Sequence, residues 1–192
     1  MTLSRGPMTT RYVALLRGVN NIGTTRRVAM ADLRVLFKDL GFIDVRTLLN
    51  SGNVVFSAAG RDQNKVLARV EKGLAARFGR SLPIILLSSR EVARVVRDDP
   101  FTRVASNHSH YLVVTLVRRP DRRLLQPLLA KRWAPEALAL GTRVAYLWCA
   151  RGLARSPLRI AVERALGPRG TGRNMATMTK LRTLLEPADQ PR

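Results

Sequence analysis

Apolar positions in this chain recur with two periods, and the order in which the periods alternate outlines an architecture. Tyr12-Val13-Ala14-Leu15-Leu16 is an unbroken apolar run, the pattern of a strand buried on both faces. Gly18 ends it, and Asn20, Asn21 and Gly23 mark a polar, turn-prone loop. Leu33, Leu36, Phe37 and Leu40 then recur at helical spacing, with Asp32, Arg34, Lys38 and Asp39 between them and Gly41 at the C-cap. Val45, Thr47 and Leu49 alternate as a strand, Asn50-Ser51-Gly52-Asn53 is a turn cluster, and residues 54–57 return, so residues 44–57 read as a hairpin. A second helical stripe (Val66, Leu67, Val70, Leu74, Phe78) and a short strand at residues 83–87 complete the order βαββαβ.

The second half repeats the pattern. Ser88 and Glu91 have the spacing of a capping box, and Asp98-Asp99-Pro100 closes the helix they open. Residues 102–110 are a polar connector, and residues 111–117 form the strongest β run of this half. A helix carrying Leu124, Leu125, Leu128 and Leu129 follows, shortened or kinked by Pro127. Gly141 and Thr142 lead into a strand at residues 144–148 that mirrors residues 52–56. Ser156-Pro157 starts another helix, residues 167–174 read as a flexible basic loop, and Asn174 is placed to cap a last helix with Met175, Met178, Leu181 and Leu185 on one stripe. The fold class expected is α+β: duplicated ferredoxin-like subdomains of βαββαβ type with mainly antiparallel sheets. Residues 11–100 form the first, residues 101–186 the second with its C-terminal helix, and residues 1–10 and 187–192 a disordered leader and tail.

Charge adds a functional suggestion. Lys and Arg total 34 against 13 Asp and Glu, a formal net charge of +21. Such a chain attracts polyanions before any specific contact forms. An Arg-, Ala- and Leu-rich composition of genomic origin is the plainer source of the same number. The apolar runs are far shorter than the roughly 18 residues of a membrane span, no secretory signal is read at the N-terminus, and Cys149 is the only cysteine. These features point to the cytoplasm, with no membrane partner.

Two loops carry candidate chemistry. Residues 17–27, between the first strand and the first helix, hold Arg17, Asn20, Arg26 and Arg27; residues 167–174 hold Arg169, Arg173 and Asn174. Glycines permit close backbone approach, helix N-termini offer N–H groups to an anion, and arginines add forked donors. The plain alternatives are a turn with a solvated basic flank and a connector between helices. Neither loop contains a Walker lysine-hydroxyl pair or a complete Gly-x-Gly-x-x-Gly, and no cofactor is implied. His108 and His110 lack acidic or cysteine neighbours that would complete a metal site, so none is expected. Cys149 reads as a buried, inert thiol, and Asp98 and Asp99 as parts of a helix-ending turn. Aromatics are only 5% of the chain and most (Tyr12, Phe37, Phe56, Phe78, Tyr111) fall at core positions, so any nucleic-acid binding would be led by the backbone rather than by base stacking.

Several segments resemble one bacterial family. They are Val13-Ala14-Leu15-Leu16-Arg17-Gly18-Val19-Asn20, Met30-Ala31-Asp32-Leu33, Leu40-Gly41-Phe42, Ser51-Gly52-Asn53-Val54-Val55-Phe56, and Arg173-Asn174 with Thr177 and Thr179-Lys180-Leu181. Over residues 11–186 the chain is similar to the domain of unknown function 1697 family. The resemblance implies a duplicated α+β fold and no established activity. It marks Arg17, Asn20, Ser51, Asn53, Arg173, Asn174, Thr177 and Lys180 as residues to watch. The family's usual Arg-Asn-Trp-Asn-Thr is replaced here by Arg173-Asn174-Met175-Ala176-Thr177, and the double glycine usual after the first asparagine is missing.

The leading expectation is an anion-binding module for nucleic acid or a phosphorylated small molecule. The alternatives are an enzyme of unknown reaction using clustered Arg, Asn, Ser and Lys side chains, and a structural homo-oligomer, such as a homodimer, whose basic surface is incidental.

Overall fold

The computed structural model describes residues 9–19, 27–60 and 62–186. The chain divides into two compact units, residues 1–91 with 183–192, and residues 92–182. The sequence places the division near residue 100; the structure places it inside two helices instead. Thr9 and Thr10, expected in a disordered leader, pair with Ala59 and Ala58 and begin the first strand, while residues 1–8 and the expected tail at 187–192 lie outside the described residues.

In the first unit β1 (Thr9–Leu16) is followed by α1 (Met30–Asp39), β2 (Ile43–Leu48), β3 (Asn53–Ala59), α2 (Gln63–Phe78) and β4 (Ile84–Ser88). The sheet order is β2-β3-β1-β4, antiparallel throughout. Alternation along the strands puts Tyr12, Ala14 and Leu16 with Val54, Phe56, Ala58, Ile84 and Leu86 on one face, where α1 supplies Leu33, Leu36 and Phe37 and α2 supplies Val66, Val70 and Leu74. Phe37, Phe42 and Phe56 meet with ring centroids 4.6–5.9 Å apart. Val13 and Leu15 are buried too, as the continuous apolar run requires. Asp62 caps α2 through bonds from the Asn64 and Lys65 N–H groups, and left-handed Gly79 ends it.

The second unit repeats the frame. β5 (Tyr111–Leu116) leads through a 3-10 turn (Arg119–Leu125) and the single turn α4 (Gln126–Leu129) to β6 (Ala137–Leu140), β7 (Val144–Trp148), α5 (Pro157–Leu166) and β8 (Gly170–Asn174). Its order, β6-β7-β5-β8, matches the first sheet strand for strand. The helix expected around Pro127 is reduced to these short turns, since two prolines in eight residues remove N–H donors from any longer ladder. The core face holds Leu112, Val114, Leu116, Ala145, Leu147, Leu158, Val162 and Leu166.

The expected flexible loop at residues 167–174 is the largest correction. Residues 167–169 make one 3-10 turn, and the remainder is strand β8, whose Gly170 and Gly172 pair with Leu116 and Val114. These glycines pack tightly: a Cβ on Gly170 would come 3.0 Å from Val114 and 3.1 Å from Leu166, and one on Gly172 would lie 3.0 Å from Leu112. The absence of side chains that hides a strand in the sequence is what lets this one fit.

Two helices connect the units. α3 (Ser89–Arg97) starts in the first and belongs to the second from Val92 onward; α6 (Met175–Leu185) starts in the second and belongs to the first from Thr183 onward. In the second unit the Tyr146 hydroxyl donates to the Val95 carbonyl at 2.9 Å, and in the first Arg46 donates to the Leu184 carbonyl at 3.3 Å.

Candidate functional site

Each unit ends its central strand in the same way. In the first, the Leu16 N–H donates to Gly52 O and the Arg17 N–H to Pro83 O, both at 2.8 Å. In the second, the Leu116 N–H donates to Arg143 O and the Val117 N–H to Arg169 O, both at 2.9 Å. With the strand registers, these bonds equate Leu16 with Leu116, Gly18 with Arg118, Gly52 with Arg143, and Pro83 with Arg169.

In the first unit the strand end is shaped by the turn between β2 and β3. Leu49 and Gly52 both have positive φ, 57° and 75°. Gly52 is required, since a Cβ there would lie 2.9 Å from Leu16 Cβ and collide with Val19 Cγ2. Fully buried Asn53 donates from Nδ2 to Leu48 O and to Ser51 Oγ, each at 2.9 Å. Ser51 and Asn53 thus hold the turn in shape. Arg17 is half-buried and Arg27 exposed. Arg27 stands three residues before α1, whose N-cap is Ala29, a residue with no side-chain oxygen to cap the helix. Asp32 in the first turn is 3.6 Å from Arg77. Asn20 and Arg26 lie outside the described residues.

In the second unit the expected residues divide between the sheet and the start of α6. Arg169 is exposed at the strand end. Arg173 is buried within β8, and its Nη1 donates to Gly172 O at 2.8 Å and to Thr171 Oγ1 at 3.2 Å. Desolvation lowers its guanidinium to about 10, which still leaves it charged at neutral pH. Asn174 Oδ1 accepts from the Thr177 N–H at 2.9 Å and the Thr177 hydroxyl at 2.6 Å, which caps α6 as the sequence predicts. Register makes Asn174 the counterpart of Ser88: Tyr12 faces Ser88 as Leu112 faces Asn174. Ser88 is likewise a cap, with its Oγ accepting from the Glu91 N–H at 3.3 Å and Glu91 Oε2 accepting from the Ser88 N–H at 2.8 Å. Lys180 is exposed on α6. Of the side chains on which an enzyme reading rests, Ser51, Asn53, Asn174 and Thr177 are engaged in holding turns and helix ends, while Lys180 is exposed.

Sequence reasoning missed Arg118, Arg119 and Arg143. The Arg143 guanidinium donates to Leu116 O at 3.0 Å and Val117 O at 3.1 Å, tying the β6–β7 turn to the end of β5. Arg118 and Arg119 follow directly and are exposed. Asp121 is the carboxylate among them, buried, accepting from the Arg118 N–H at 2.9 Å and lying 3.7 Å from its guanidinium. The available signal was the Arg118-Arg119-Pro120-Asp121-Arg122-Arg123 run, which reads only as a strand breaker until β8 is recognised.

The remaining candidates are structural. Asp99 accepts from the Phe101 N–H at 2.8 Å and the Tyr111 hydroxyl at 2.5 Å, so it closes the turn after α3 and anchors β5. His110 packs near Trp148, with ring centroids 6.4 Å apart, and the exposed His108 lies in the preceding turn. The Cys149 thiol is buried, and burial pushes its pKa up, away from the reactive thiolate. Among the described residues no helix is long and apolar enough to cross a membrane.

No curated protein matches this chain. It is similar in fold to the conserved bacterial protein SP0830 from Streptococcus pneumoniae, with a TM-score of 0.77 and 20% identity over 93% of this chain and 100% of that one. A family model described as "Protein of unknown function (DUF1697)" matches residues 8–146, well over half the sequence, and the chain belongs to that family.

Proposed function

We propose that this protein is an anion-binding module whose ligands are nucleic acid or phosphorylated small molecules. One observation carries the reading: if each of the 13 carboxylates neutralised one of the 34 cationic side chains, the net charge of +21 would remain. Exposed ion pairs such as Lys65–Asp62 at 3.9 Å and Arg97–Asp98 at 2.9 Å use up part of the few acids available. A surface so unbalanced favours association with polyanions. Arg17 and Arg27 near the first strand end, and Arg169 at the second, are the contacts expected to take part. A single buried thiol and the lack of any long apolar helix among the described residues support a cytoplasmic setting for such a role.

The test is a panel of duplex DNA, duplex RNA, nucleotides and inorganic phosphate, titrated at two salt concentrations. Binding that weakens steeply with salt is the expected result. No affinity for any member at low salt would overturn the reading.

A further inference from the structure

The duplicated frame permits a comparison that one unit could not. At three equivalent strand-end positions the first unit has Gly18, Gly52 and Pro83, and the second has Arg118, Arg143 and Arg169. The backbone hydrogen bonds at the two ends are alike, 2.8 Å in one and 2.9 Å in the other, so the frame does not demand arginine at 118 or 169. Resting on the anion-binding reading above, we propose that the end of β5 is a nucleic-acid site: an arginine triad that grips the phosphodiester backbone of a duplex.

The geometry favours a polyanion over a single phosphate. β7, β5 and β8 are neighbours in the sheet, so the backbones of the three arginines lie within about 10 Å of one another, a span over which a duplex presents several phosphate charges. Arg118 and Arg169 are exposed, Arg118 to 74%. Exposed cations hold a lone phosphate weakly in water. Along a polyanion each added contact releases condensed counterions, so several exposed arginines gain affinity that one phosphate cannot supply. Arg143 is held in place by its bonds to Leu116 and Val117 O and gives the group a fixed centre. Arg119 and Arg123 continue the exposed basic surface along the 3-10 turn, while buried Asp121 accepts from the Arg118 N–H and lies 3.7 Å from its guanidinium, which stays 74% exposed. The core placement of most aromatics gives no platform for unstacked bases, which selects a duplex over a single strand.

The experiment measures anisotropy of a labelled DNA duplex against the full chain at several salt concentrations. It compares wild type with R118Q/R169Q, with R151Q/R155Q (two exposed arginines elsewhere in the second unit), and with R17Q/R27Q. Arg143 is left intact because it fastens the strand end. R118Q/R169Q is expected to lose at least about tenfold in affinity at low salt and to reduce the slope of log K against log salt by about 2. R151Q/R155Q, with the same change of net charge, is expected to lose markedly less, and all variants are checked for wild-type circular dichroism and melting. Equal losses in the two second-unit variants, or a loss confined to R17Q/R27Q, overturn the triad and leave the anion-binding reading standing. Tighter binding of ATP or inorganic phosphate than of the duplex also overturns the triad. No binding of any probe by wild type removes both.

Discussion

Asn174 offers the sharpest separation of a structural role from a binding role, because it is both a family-marked residue and a helix cap. In Asn174→Ala the Thr177 N–H loses its 2.9 Å acceptor and the Thr177 hydroxyl its 2.6 Å one. Loss of an N-cap costs about 1 kcal/mol. Thr177 is only 6% exposed, so its hydroxyl finds little water in compensation, and the stranded group adds about 1 kcal/mol more. The expected total is about 2 kcal/mol. With a urea dependence of about 2 kcal/mol per molar, the denaturation midpoint falls by about 1 M. Asn174→Asp keeps an acceptor at the helix start and should stay near wild type. Ser88→Ala supplies an internal standard: Glu91 Oε2 retains the Ser88 N–H and Gln63, so its loss should be nearer about 1 kcal/mol. Urea titration followed by Trp133 and Trp148 fluorescence, together with duplex binding by the same samples, gives both readouts. An unchanged midpoint for Asn174→Ala accompanied by lost binding would refute the capping argument and make Asn174 a ligand contact.

Other substitutions test the frame. Gly52→Ala combines a left-handed backbone with contacts to Val19 and Leu16, and should destabilise by about 3 kcal/mol, part of it recovered when Val19→Ala is added; an additive pair in thermal melts would contradict the contact. The tyrosine phenols Tyr12, Tyr111 and Tyr146 all have their pKa raised chiefly by burial, Tyr146 to about 12. Full stability should hold below pH 10, where the phenols are neutral in both states. As pH rises from 10 towards 12 the unfolded chain ionises first, so Tyr146 alone removes about 2–3 kcal/mol; a flat urea midpoint across that window would refute this. Glu136 is buried, and its Oε2 accepts from the Leu158 N–H in the first turn of α5 at 3.0 Å. Glu136→Gln should therefore lose about 1 kcal/mol of charge–dipole stabilisation and Glu136→Ala measurably more, with equal urea midpoints counting against the contact.

Periodicity made most of the fold legible because most elements bury a side-chain stripe. Leu33, Leu36 and Phe37 announced α1, and Ser88 with Glu91 announced the start of α3, since in both cases the chemistry is local. β8 was hidden because Gly170, Thr171 and Gly172 have little side chain to show a period, and the strand is specified by β5 beside it. The same blindness concealed the arginine triad. Arg143 and Arg169 are far from Arg118 in sequence and are brought to its strand end by backbone bonds from Leu116 and Val117. Asn53 and Asn174 stand out in the sequence for their polarity, but which atoms they bind depends on turn and helix geometry that spacing does not encode.

The two connecting helices have a consequence for the order in which the protein is made. Arg46 in β2 donates to Leu184 O, and Arg11 in β1 makes a longer bond of 3.5 Å to Leu185 O, 174 positions downstream. Leu185 itself is buried. On the ribosome, the first sheet must therefore wait until the whole second half has been translated before it receives its closing residues. A stop codon just after β8 would spare every strand and still deprive the first unit, the part synthesised earliest, of its final piece.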